Sequence, residues 1–182
     1  MSTKANLKNI YNLTRIALCV ALLCVSSYLV FPLPFTPTVI SLHTVVVNLI
    51  GLVLKPKQAG TTILVYLLMG IIGLPVLSVG TGGIGKLLGP TGGYYFGFLL
   101  AAVVISLMRG SNNQLWRYIL ITVGVGLPIQ HICAIAMMAF HNGGNVGTAF
   151  LTVSLPFFLG DIMKCVMASV VGLAINKYIQ PK

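Results

Sequence analysis

The run YNLTRIALCVALLCVSSYLV (residues 11–30) decides the fold. Arg15 is its one charged residue. Roughly 20 mostly apolar residues are what a helix needs to cross ~30 Å of hydrocarbon. Five more apolar stretches follow, at about 39–54, 58–74, 93–108, 117–140 and 156–178. The breaks between them are chemically plain. Phe31-Pro32-Leu33-Pro34-Phe35-Thr36-Pro37 cannot continue a helix, because its prolines lack N–H donors and clash with the preceding turn. Lys55-Pro56-Lys57 is a charged turn, and Gly73 to Gly93 is a long glycine-rich loop. Arg109 to Asn113 is polar, and His141-Asn142-Gly143-Gly144-Asn145 opens the last loop. The sequence predicts an all-α integral membrane protein: one domain over residues 1–182, built as a compact bundle of six transmembrane helices.

Composition points the same way. Of 182 residues, 57% are hydrophobic and 7% charged, against ~25% charged in a soluble domain. Mean hydropathy is +1.00. A water-soluble globule is excluded, and the length leaves no room for an added soluble catalytic domain. A net charge of +10 does not indicate nucleic acid here, since the basic residues are sparse and lie between apolar runs. With six spans, Lys4, Lys8, Arg15, Lys55, Lys57, Arg109, Arg117, Lys177 and Lys182 all fall on one side. Lys86 falls on the other, and Lys164 lies inside a span. Positive residues favour the cytoplasmic side, so both termini are expected there, with the chain in the cytoplasmic (inner) cell membrane. No cleaved leader is expected, because the first apolar run is too long for a signal-peptide core. Cys19, Cys24, Cys133 and Cys165 all fall in apolar spans without CxxC spacing, which suits packing rather than metal or redox work.

Two nucleotide-binding patterns appear and fail on context. Gly80, Gly82 and Gly85 read as GxGxxG, and Gly85-Lys86 as the end of a phosphate-binding loop. Leu87 stands where that loop needs Ser or Thr for magnesium, and Pro90 follows too soon for a helix. No acidic residue lies about 20 positions on. What remains is an outer loop whose glycines let the backbone approach a ligand, or a plain connector. Lys86 either steers an anionic ligand or is simply solvated.

Asp161 is the one acidic side chain, and Lys164 follows at i+3 on the same helix face. An ionisable residue inside a span costs ~2.5–3.5 kcal/mol on insertion scales, which makes it a functional-site hypothesis by default. The pair sits near the outer end of the last span, beside the glycine loops. An ammonium offers three donors and a carboxylate only acceptors, so together they suit a ligand with an anionic end and N–H groups. The competing reading is a self-neutralising structural ion pair. His43, His131 and His141 read most simply as packed residues, and no His spacing argues for a metal. With one acid, a two-carboxylate mechanism cannot be built, so a membrane enzyme is not expected and neither is a cofactor.

Leu88-Gly89-Pro90-Thr91-Gly92-Gly93-Tyr94, with Gly160-Asp161-Ile162-Met163-Lys164 in the last helix and Pro34-Phe35-Thr36-Pro37 after the first, closely resembles the BioY family. These are the biotin-binding S components of energy-coupling-factor transporters. The resemblance runs from the first span to the last. It implies a six-helix bundle with cytoplasmic termini that binds its vitamin on the outer side. On that resemblance Lys164 holds the biotin carboxylate and Asp161 accepts from a ureido N–H. Thr81 and Tyr95 supply polar contacts, and His43 stands where a Gln can occur. Phe35, Val39, Leu74 and Tyr94 are candidate apolar walls for the sulfur-containing ring and valeryl chain. Ala17 and Ala21 reproduce an AxxxA pattern, small residues that let another helix approach closely. Their implied partner is the transmembrane coupling subunit, with separate ATPase subunits driving uptake. Rival readings are an S component for another vitamin and a stand-alone facilitator.

Overall fold

The computed structural model describes residues 2–32, 39–110 and 113–179, with side chains for 9–30, 41–110 and 113–178. Nearly all of it is helix. α1 spans Ser2–Ser26, α2 His43–Val53 and α3 Pro56–Ile71; α4 is a single turn, Ile84–Leu87. α5 covers Gly93–Met108, α6 Leu115–Ile121, α7 Leu127–His141, α8 Val146–Val153 and α9 Leu155–Ile179. Two short strands, β1 (Val30–Pro32) and β2 (Val39–Ser41), pair antiparallel with Val30 opposite Ser41. Among the described residues three helices are long and apolar enough to cross a membrane, within Asn9–Ser26, Leu115–His141 and Leu155–Tyr178.

Several boundaries differ from the sequence reading, each for a local reason. α1 ends at Ser26, where the Ser26 and Ser27 hydroxyls turn back onto the carbonyls of Leu23 and Cys24. Val30 and residues 39–41, expected within helices, are strand instead, and Phe31 and Pro32 of the proline break continue the first strand; Val30, Val39 and Ile40 are β-branched and flank the proline segment. α3 starts at Pro56, in the first-turn position where a missing N–H costs nothing. The Lys55 N–H donates to the Gln58 side chain there. α6 and α7 are joined through a π turn, Thr122–Gly126. Pro128 begins the next segment and cannot donate to the turn before it, a recognised cause of such a bulge. α8 was read as loop, because an eight-residue apolar helix is too short to register as a span.

Packing is inverted relative to a soluble protein. On α9, Asp161, Lys164, Cys165, Ser169 and Asn176 are buried, while Leu159 and Met163 are exposed. Most of the buried polar groups are paired across the bundle, while His43 Nδ1, His131 Nε2 and Asn176 Oδ1 have no hydrogen-bond partner among the described residues. Gln130 donates to Asn48, Thr122 meets Ser169 at 3.1 Å, and Asn176 donates to the Leu52 carbonyl and to Tyr118. Arg109 donates to the same Leu52 carbonyl and Arg15 reaches the Val53 carbonyl. Arg15 of α1, Arg109 at the end of α5 and Asn176 of α9 therefore meet at the last turn of α2. At the opposite end, the starts of α2, α5 and α9 meet the end of α7 and enclose the site.

α5 lies very close to α7. A Cβ at Gly93 would collide with the Cys133 carbonyl, and one at Gly97 would stand 2.8 Å from the Gln130 Cα. Gly93-x-x-x-Gly97 is the small-residue spacing that lets two membrane helices touch backbone to backbone. This contact brings Tyr94 on α5 against His131 on α7 and so closes one wall of the site.

Candidate functional site

The cavity at that end measures about 280 Å³, near the lower limit of the ~300–1,000 Å³ typical of small-molecule sites. Its walls come from several elements. Ser41 stands at the end of β2, Thr44 at the start of α2, Ser78 and Val79 on the turn after α3, and Lys86 on α4. Thr91, Tyr94, Tyr95 and Phe98 come from α5 and the loop before it. Met138, Val153, Phe157, Asp161 and Lys164 close it from α7, α8 and α9. The arrangement is an apolar, aromatic slot with a charged pair on one wall.

Asp161 and Lys164 are both buried, with the ammonium 2.7 Å from Asp161 Oδ1. On the other carboxylate oxygen, Oδ2, His131 Nε2 closes to 3.3 Å, short of good hydrogen-bond alignment. His131 Nδ1 lies 3.0 Å from the Ser154 hydroxyl. One carboxylate thus serves two nitrogens, and Lys164 retains two further N–H donors.

Tyr95 fixes the loop side. Its hydroxyl accepts from the Ser78 N–H at 3.0 Å and donates to Ser78 Oγ at 3.1 Å. Val79, next in the chain, takes φ 64° and ψ 31°, a left-handed conformation that opposes a β-branched side chain. Its N–H is tied to the Ser27 carbonyl at 3.1 Å, and Tyr28 Oη donates to the Pro75 carbonyl at 2.6 Å. A strained residue held this firmly at a cavity wall is the kind of local cost that sites retain.

The sequence-derived candidates divide. Asp161, Lys164, Tyr94 and Tyr95 line the cavity together. Tyr94 spends its hydroxyl on the Val153 carbonyl, so it presents ring rather than donor. His43 stands behind the wall: its Nε2 pairs with Tyr66 Oη at 2.7 Å and its ring stacks on Phe98, centroids 6.1 Å apart. Thr81 is also set back, bonding Ser78 O at 2.8 Å and bracing the turn. Leu74 is off the cavity and 44% exposed. Phe35 lies outside the described residues, as does the rest of Pro34-Phe35-Thr36-Pro37, and Val39 is placed by its backbone alone, at the start of β2. Lys86, which the sequence left between two readings, faces the cavity. Ala17 and Ala21 are exposed on the outer face of α1.

Sequence reasoning missed Ser78, Thr44, Thr91 and the part His131 plays. His131 carried a signal that went unused, being an ionisable group inside a span. The serine and threonines had none, since hydroxyls are common in membrane helices.

Comparison with known proteins bears on the same architecture. The family model described as the BioY family matches residues 1–181. Biotin transporter BioY2 of Lactococcus lactis subsp. cremoris (strain MG1363) is 34% identical over 178 residues, covering 93% of this chain and 96% of the relative. A probable biotin transporter BioY of Pyrococcus horikoshii is 35% identical over 157 residues, 86% and 91% of the two chains. A crystal structure of the S-component for biotin from an ECF-type ABC transporter superposes with a TM-score of 0.85. It shares 24% identity, over 97% of this chain and 95% of that one; at that identity the likeness shows a common fold.

Proposed function

Because the chain belongs to the BioY family, an integral membrane family, we propose that it is the biotin-binding S component of an energy-coupling-factor uptake system. It captures the vitamin with high affinity and performs no covalent chemistry. One observation carries the reading: a buried Asp161–Lys164 pair on the wall of an otherwise aromatic cavity of small-molecule size. Biotin has the complementary pattern, with a carboxylate at one end, a ureido group at the other and an apolar ring and chain between.

The residues divide the work by chemistry. The Lys164 ammonium, on a flexible four-carbon stem, takes the carboxylate. Asp161, an acceptor when ionised, takes a ureido N–H. Tyr94, Phe98 and Phe157 supply apolar area. Tyr95 and Thr81 hold the Ser78–Val79 turn over the ligand, and His43 backs Phe98 from within the bundle. Phe35, Val39 and Leu74 are proposed as outer contacts that come in as the loops close. Lys86 adds positive potential at the cavity and so favours an anionic ligand.

The chain crosses the cytoplasmic membrane six times with both termini inside. α2, α3 and α5 are short spans set within the bundle. The placement of Arg15 and Arg109 at the last turn of α2, opposite the cavity, supports this orientation, which puts the site on the outer side. ATP is used only by partner ATPase subunits, through a transmembrane coupling subunit that docks on Ala17 and Ala21.

Titration of the purified chain with tritiated biotin tests the assignment. Removing one partner of a buried pair costs about 3–5 kcal/mol, so Lys164→Ala is expected to weaken biotin more than about 100-fold. Asp161→Asn, which keeps the shape of the side chain, checks the same pair. Unchanged affinity in both variants, with another vitamin binding in a ligand panel, would falsify the reading.

A further inference from the structure

A second cavity, of about 210 Å³, lies between α1, α2 and α9, away from the biotin site. Its walls are alkyl side chains, among them Leu18, Leu22, Val46 and Ile175. Leu18 and Leu22 are exposed, so the groove opens sideways from the bundle. Polarity is confined to one end, where Tyr11 and Arg15 stand.

Arg15 is the informative residue. It makes one long hydrogen bond, 3.4 Å to the Val53 carbonyl, and lies 5.5 Å from the Tyr11 ring centroid. A guanidinium has five N–H donors in a planar fork. The only acidic side chain in the protein is Asp161, which is engaged by Lys164 and His131 at the other end of the bundle. No acidic side chain of this chain neutralises Arg15, which leaves its guanidinium open to an anion from outside.

The dimensions identify that anion. Tyr11 and Leu22 are eleven residues apart on one helix, about 16 Å at 1.5 Å per residue. That is about half of the ~30 Å hydrocarbon core, the depth of one leaflet. The groove thus runs from a cationic end at the interface to an apolar end near the midplane. We propose that it is a specific site for an anionic phospholipid, with the phosphate on Arg15 and Tyr11 and one acyl chain along Leu18, Leu22 and Val46. A planar fork suits a phosphate bidentately, and alkyl walls suit an acyl chain. The site lies in the leaflet that holds the basic ends of the helices; naming that leaflet cytoplasmic rests on the orientation proposed above.

The test uses the full chain in nanodiscs of phosphatidylglycerol and phosphatidylcholine with matched acyl chains, followed by release and native mass spectrometry. The chain is expected to retain one phosphatidylglycerol in preference to phosphatidylcholine by about fivefold or more. Arg15→Gln should bring the two lipids to parity, and Arg15→Lys should keep part of the preference. Leu22→Trp, at an exposed position, should fill the groove and remove the retained lipid. Equal retention of both lipids by the unaltered chain, or a preference that survives Arg15→Gln, overturns the proposal. Biotin titration of the same samples separates the two readings. All three variants should bind biotin normally, and a chain that retains phosphatidylglycerol without binding biotin sinks the transport assignment alone.

Discussion

His131, on α7, reaches within 3.3 Å of the Asp161 carboxylate oxygen that Lys164 does not use. Its other ring nitrogen lies 3.0 Å from the Ser154 hydroxyl. If that hydroxyl donates, the ring proton sits on Nε2 and points at Asp161. Ser154, His131 and Asp161 then form a line that fixes how the carboxylate faces the cavity. His131 is a positioning residue, acting on the ligand through Asp161.

Replacing it tests that role. At 3.3 Å the contact is a close polar approach rather than an aligned hydrogen bond, so His131→Phe should weaken biotin by about tenfold or less, below the ~1.5–3 kcal/mol of a full hydrogen bond to a charged group. His131→Gln, which keeps a donor, should recover much of the loss. Calorimetric titration of purified variants reads both numbers. Equal losses in Phe and Gln would reduce His131 to packing, and no loss in either would detach it from the site.

Tyr95 sets up a different kind of effect. Its hydroxyl makes two of the three bonds that tether Ser78, the third coming from Thr81, and Ser78 adjoins the strained Val79. Tyr95→Phe removes those two bonds while keeping the ring against Phe98. The expected result is faster escape of biotin by about tenfold, with association little changed, because most affinity differences within one site appear in the off-rate. A chase with unlabelled biotin measures this. A variant that slows association and leaves dissociation alone would place Tyr95 at the entrance instead.

Much of the architecture was legible in the residues because hydrophobic length and basic-residue placement act directly on how a chain sits in a membrane. The Gly93–Met108 helix begins and ends where the apolar pattern does. The ion pair was legible for the same reason, since Asp161 stands alone in an apolar chain. What lay hidden depends on contacts between distant segments. Nothing local marks Ser78 as a partner of Tyr95, or sets His43 behind Phe98 rather than in the cavity. The strand at Val30 and at 39–41 was hidden because short apolar runs look alike whether they coil or extend.

The α5–α7 contact gives a stability prediction. Gly93 faces the Cys133 carbonyl with no room for a methyl group. Overpacking of this kind typically costs about 1–3 kcal/mol, and here backbone has to move. Gly93→Ala should therefore lower the thermal unfolding midpoint in detergent by several degrees and weaken biotin with it, since Tyr94 shifts alongside. Gly85→Ala is the control, because a Cβ there meets open space. A Gly93→Ala chain as stable as the Gly85→Ala chain would mean that the two helices are farther apart than described.

The docking role proposed for Ala17 and Ala21 gives a way to separate capture from transport. Both are exposed on α1, on the side away from the buried Leu23. A leucine at either position adds bulk outside the bundle and leaves the cavity untouched. The double variant Ala17→Leu, Ala21→Leu should bind biotin with unaltered affinity. It should fail to co-purify with the coupling subunit and fail to accumulate biotin in cells that hold the complete transporter. If uptake continues at the normal rate while binding is intact, partner contact lies on another face. Uptake that persists when the coupling module is deleted altogether would instead make the chain a stand-alone facilitator.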